Sequence, residues 1–81
     1  MLEGGGGTDF RPIFEAIDAL PKHERPHVVI VVTDGDGPAP HEPPRDVTVI
    51  WLLVGEHAVT PYTSGRGRVD WGEKIWLKEA A

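Results

Sequence analysis

The apolar positions fall into two rhythms. From Phe10 to Leu20, the residues Phe10, Ile13, Phe14, Ile17 and Leu20 recur at helical spacing. Thr8 or Asp9 can cap the start of that helix, Pro12 is tolerated in its first turn, and Pro21 stops it. Two later runs, Val28 to Thr33 (VVIVVT) and Val47 to Val54 (VTVIWLLV), are continuous and rich in β-branched residues. They read as strands, apolar enough to be covered on both faces, and the pattern alone leaves open whether they run parallel or antiparallel. Lys74 to Lys78 (KIWLK) predicts a short last strand, with lysines at both ends as a protected sheet edge commonly has.

The connecting segments fit this order. Asp34 to Asp46 contains Pro38, Pro40, Pro43 and Pro44, which excludes helix and central strand. An extended segment of that length reaches roughly 40 Å at about 3.1 Å per residue. It can therefore cross back over a short strand and let the next one run parallel. Gly55 to Asp70 reads as a polar, glycine-containing excursion. The expectation is a single α/β domain over residues 1–81, with a glycine-rich lead at 1–7 and a core at 8–78. It has one helix and about three strands, and no internal repeat.

Composition narrows the functional classes. A chain of 81 residues holds one core and buries roughly 60% of its unfolded surface, so its stability is marginal and dimerisation is a standard remedy. It has no cysteine, which removes disulfides and thiolate zinc sites and suits a reducing cytoplasm. The N-terminus is glycine-rich where a secretory signal would be apolar, and the longest apolar run is far too short to span a bilayer. A net charge of −5 argues against nucleic-acid binding. The basic cluster Gly65-Arg66-Gly67-Arg68 reads as a solvated turn in preference to a phosphate-contacting loop. Asn and Gln are absent while Gly, Pro, Ala, Val, Asp and Arg abound, a bias of GC-rich coding genomes such as those of actinobacteria and their phages.

Candidate chemistry is sparse. If the helix packs antiparallel to the strand that follows, Thr8 and Asp34 share one sheet edge, where open α/β sheets bind ligands. Asp9 and Asp36 lie close enough in sequence to assist, although a few acids at a loop edge are commonly just solvated. Asp34-Gly35-Asp36-Gly37 lacks the later ligands of a calcium loop and reads better as a turn. His23, His27, His41 and His57 are scattered, and Pro26 breaks the helix that would align the first two. Trp51, Trp71 and Trp76 read as core or interface packing. No metalloprotease, serine-nucleophile, P-loop or dinucleotide motif is present, so no catalytic residue is assigned.

Taken together, GGGGTDF, VVIVVTDGDG, the proline-rich stretch, VTVIWLLVG and WGEKIWL resemble the C-terminal half of a von Willebrand factor A-like domain, from Gly4 to about Leu77. The similarity is to the bacterial group that often follows a metallopeptidase-type domain. Such domains bind a divalent cation through a D-x-S-x-S loop, a threonine and an aspartate. The resemblance matches Thr8 to the threonine and Asp34 to the aspartate, and the D-x-S-x-S loop has no counterpart. It implies a truncated Rossmann-like fold with a degenerate metal site that holds Mg²⁺ only when a partner completes it.

The resemblance also implies that Val28, Val29, Ile30, Val31, Val32 and Thr33 form an edge where the family has a central strand. An apolar edge is a template for pairing with another chain. One expectation is an isologous dimer that joins two such edges into one continuous sheet. Another is a partner protein, either a full-length von Willebrand factor A-like protein or an AAA-type ATPase. The expected function is a non-catalytic protein–protein interaction module. The alternative is a metal-dependent ligand-binding domain whose missing ligands come from a partner chain.

Overall fold

A computed structural model describes residues 8–63 and 67–77. The Gly4–Gly7 lead, Ser64 to Arg66 and Lys78 lie outside the described residues. The helix α1 spans Arg11–Ala19 and is followed by a 3₁₀ turn at Lys22–Glu24. Strands β1 (Val28–Thr33) and β2 (Thr48–Val54) come next, then β3 (Tyr62–Thr63), β4 (Gly67–Arg68) and β5 (Glu73–Leu77). β1, β2 and β5 form a three-stranded parallel sheet in that order, and β3 pairs antiparallel with β4.

This is the small α/β fold read from the sequence, with one addition. The excursion after Gly55 contains the β3–β4 hairpin, whose first strand is bridged to the proline-rich loop between Pro38 and Tyr62. Ala39 donates its N–H to the Tyr62 carbonyl at 2.8 Å, and Tyr62 returns one to Gly37 at 3.2 Å. Two-residue strands carry too few side chains to show a period of two, which is why the pattern missed them.

One face of the sheet carries the core. Val31 pairs with Trp51 and Thr33 with Leu53, and parallel partners in register share a face. Trp51 and Leu53 are fully buried on that face beneath Phe10 and Phe14. Four aromatic contacts, Phe10–Trp51, Phe14–Trp51, Phe14–Trp71 and Trp51–Trp71, have ring centroids 5.4–5.6 Å apart. Both indoles are also satisfied: Trp51 Nε1 donates to the Trp71 carbonyl at 3.3 Å and Trp71 Nε1 to that of Pro40 at 3.2 Å.

Both crossovers lie on this same face, since Ala39 from the first and Val69 and Trp71 from the second belong to the core cluster. The common handedness of parallel crossovers explains it. Two successive steps in one direction across a sheet place both connections on one side.

The opposite face has no covering element among the described residues. Val28, Ile30 and Val32 of β1 point to it, and Ile30 and Val32 are 58% and 64% exposed. This corrects the expectation that Val28 to Thr33 is covered on both faces. The run is apolar on both sides, but only the side of Val29 and Val31 is packed. Ile75 and Leu77 of β5 are likewise exposed, as is Ile13 on the outer side of α1. Trp76 pairs with Leu53 on the core side yet remains 54% exposed at the rim, so it does not join the core with the other two tryptophans.

Candidate functional site

The two motifs at the start of the chain meet at the carboxyl end of β1. Thr8 donates its N–H to the Asp36 carbonyl at 3.0 Å, and Phe10 donates to that of Pro38 at 2.9 Å. The segment Thr8–Phe10 is thus laid along the turn that follows β1. Thr33 Oγ1 accepts from the Gly35 N–H at 3.1 Å, and Asp34 Oδ1 accepts from the Asp36 N–H at 3.0 Å. Such short-range side-chain bonds are what Thr and Asp supply at turns.

The glycines of this turn are dictated by its geometry. Gly35 has φ +85°, and a Cβ there would fall on the Val59 carbonyl. A Cβ on Gly37 would fall on the carbonyl of Thr8. The TDGDG motif is therefore what lets the Thr8 segment approach the end of β1.

Asp9 is engaged elsewhere. Its Oδ1 accepts from the backbone N–H of Arg11 at 3.0 Å and from Arg11 Nε at 2.9 Å, while Oδ2 accepts from Nη2 at 2.8 Å. The side-chain hydrogen bond from Arg11 is the main reason its pKa falls to about 2, and the backbone bond adds to it. Asp9 thus serves as a brace at the start of α1. At the other end of the helix, Arg25 donates through Nε to the Leu20 carbonyl and through Nη2 to that of Asp18, both at 3.1 Å. Sequence reasoning missed this clamp, because Arg25 reaches α1 only after the 3₁₀ turn folds the chain back.

The donor set at the Thr8–Asp34 end does not fit a complete cation site. Asp34 has one oxygen committed to the turn and Asp9 has both on Arg11. No group of three or more metal-ligating side chains occurs among the described residues. A hard divalent cation takes six or more oxygens, so Thr8 and Asp34, with Asp36 nearby, supply too few.

A separate polar cavity of about 210 Å³ is lined by His41, Thr63, Arg68 and Asp70. Thr63 is buried there, and its hydroxyl donates to the Gly67 carbonyl at 3.1 Å. Arg68 Nη1 donates to the Thr60 carbonyl at 3.0 Å. This bond holds Arg68, which the structure places in β4 and not in a turn, against the excursion it belongs to, and Gly65 and Arg66 lie outside the described residues. His23 lies on the 3₁₀ turn and His27 directly before β1, and both are exposed.

A parallel sheet with all its connections on one face, and a threonine and an aspartate at the carboxyl end of its edge strand, defines a truncated Rossmann-like α/β domain. Comparison with family models matches residues 1–77 to the VWA-like domain (DUF2201). The chain therefore belongs to the VWA-like domain family. Comparison with curated proteins and with solved structures returns no match. No described helix is long and apolar enough to cross a membrane.

Proposed function

We propose that this protein is a non-catalytic protein–protein interaction module whose contact surface is the open side of its sheet at β1. The observation that carries the reading is the state of β1, which among the described residues pairs on one side only and presents Ile30 and Val32 to solvent. Its backbone is equally open. Thr48 donates to the His27 carbonyl at 2.9 Å, and strand alternation then turns the amides of Val28, Ile30 and Val32 toward the unpaired edge. Strand pairing at this edge, with a second copy or with a partner, extends the sheet. A full-length VWA-like protein or an AAA-type ATPase is the partner that the family suggests, by analogy alone.

Ile30→Lys tests the reading, because Ile30 belongs both to the edge and to the apolar face. Its side chain is more than half exposed, so the fold should survive, as the amide fingerprint by NMR will show. The expected result is loss of self-association and of hydrophobic-dye binding. Unchanged mass and unchanged dye binding would contradict it.

One observation favours a second reading, a partner-completed Mg²⁺ site: the Thr8 N–H bonds the turn that holds Asp34. In that case Thr8→Ala and Asp34→Ala abolish metal-dependent binding to the partner. On the first reading they leave association nearly untouched, and calorimetry on the isolated chain finds no micromolar Mg²⁺ affinity. Micromolar affinity of the free chain would overturn the account of an incomplete site.

A further inference from the structure

We infer that a second copy of this chain docks on the bare face of the sheet, so that two sheets stack face to face and the β1 edge stays open. The inference rests on the interaction-module reading and assigns the occupant of one part of its surface. Three observations carry it.

The first is the chemistry of the face. Ile30, Val32, Leu52, Ile75 and Leu77 form an apolar floor across all three strands, with Ile30, Val32, Ile75 and Leu77 each 44% or more exposed. The unpaired N–H and C=O groups of the β1 edge are well solvated by water when nothing pairs with them. An apolar floor has no such alternative, and contiguous exposed patches of this kind mark contact sites. For a chain meeting its own copy, covering the face removes the larger penalty.

The second is charge. The chain carries −5 overall, so most of its surface repels a second copy. Among the described residues of the three strands, the bare face holds one charged residue, Glu73, at its corner beside Ile50. It is therefore the surface on which two copies meet without opposing charges at the centre.

The third is closure and size. Antiparallel pairing of two β1 edges puts both bare faces on the same side of the joined sheet, doubling the uncovered floor. Face-to-face stacking covers both floors in a single closed twofold contact. Three strands about 4.8 Å apart and six residues long at about 3.3 Å give a flat footprint of roughly 300 Å² per copy. With side-chain relief and rim, the two copies together bury on the order of 1,000 Å², the lower bound for a specific interface. Stacked sheets then lie about 10 Å apart, a separation that branched aliphatic side chains fill.

The test is solution mass by light scattering on the full chain and two variants, with folding checked by amide fingerprint. Ile75→Lys charges the face at β5, far from the β1 edge. Ile30→Pro removes an outward N–H from the edge but leaves an apolar ring on the face. Stacking predicts a dimeric wild type, a monomeric Ile75→Lys and a dimeric Ile30→Pro, with the dissociation constant of Ile75→Lys raised at least tenfold. A dimeric Ile75→Lys with a monomeric Ile30→Pro would overturn the stacking and leave the edge-pairing module intact. A wild type that stays monomeric at every concentration overturns the inference and hands the face to a different partner. Should Ile75→Lys fail to fold, Leu77→Lys at the end of the same strand makes the same distinction.

Discussion

Asp9 and Arg11 show how much one turn of backbone decides. Two residues apart on a helix they would not face each other, but at the helix entry Arg11 folds back and holds both carboxylate oxygens. The folded pKa of Asp9 lies below its ordinary 3.8, at about 2. Its contribution to stability is therefore present above about pH 3.8 and is lost as the pH falls toward 2. A carboxyl titration by NMR should place its midpoint near 2, and Arg11→Met should return it toward 3.8. A midpoint unmoved by that substitution would contradict the brace. Gly37 makes a sharper prediction. Gly37→Ala places a methyl on the Thr8 carbonyl and should cost about 2 kcal/mol or more, on the order of 10 °C in Tm. Gly55→Ala meets no atom and should cost only its positive-φ penalty, about 1 kcal/mol. Equal losses at the two sites would show that Thr8 does not lie against the turn. The meeting of Thr8 with the Asp34 turn was legible in the sequence, because a helix packed antiparallel to the strand that follows it puts its own start beside that strand's end, although neither Thr8 nor Asp9 supplies the N-cap, which is Phe10 with no side-chain cap bond. The commitment of Asp9 to Arg11 was not, since the bond depends on turn dihedrals that residue types leave open.

At the scale of elements, Trp51 is the pivot. It sits at the centre of β2 and contacts Phe10, Phe14 and Trp71, drawn from the helix entry, the helix and the second crossover. Trp51→Ala removes about 3–5 kcal/mol, comparable with the whole stability of a small domain, and should leave the chain unfolded by circular dichroism. A cooperative melt in that variant would contradict a single aromatic core. Arg25 is the counterpart at the end of α1. Arg25→Met keeps the stem but loses the bonds to the Asp18 and Leu20 carbonyls, at a cost of about 1–2 kcal/mol in denaturant unfolding. The long elements were readable because their apolar periods are strong, and Val28–Thr33 has the bounds its composition suggested. The β3–β4 hairpin was hidden because two-residue strands show no period, and the clamp of Arg25 because it forms only once the 3₁₀ turn folds the chain back on α1.

At the scale of the molecule, the governing feature is an asymmetry of covering. Helix, proline-rich loop and second crossover all lie over one face, and for the two crossovers successive parallel steps in one direction require it. The other face is as apolar as the first, and β1 has a free edge among the described residues. The sequence shows a strand that suits the centre of a sheet, but it contains no polar alternation to reveal which side is bare. Only the topology does that. On the reading proposed above, the open side of this VWA-like domain acts through contact with protein, and its threonine and aspartate are too few to make that contact depend on a cation. Solution mass by light scattering, across a concentration series with and without Mg²⁺, measures this most directly. The account predicts a mass twice that of the chain, reached at micromolar concentration and indifferent to Mg²⁺. A chain that remains monomeric and binds no hydrophobic dye, or one that dimerises only when Mg²⁺ is added, would contradict it.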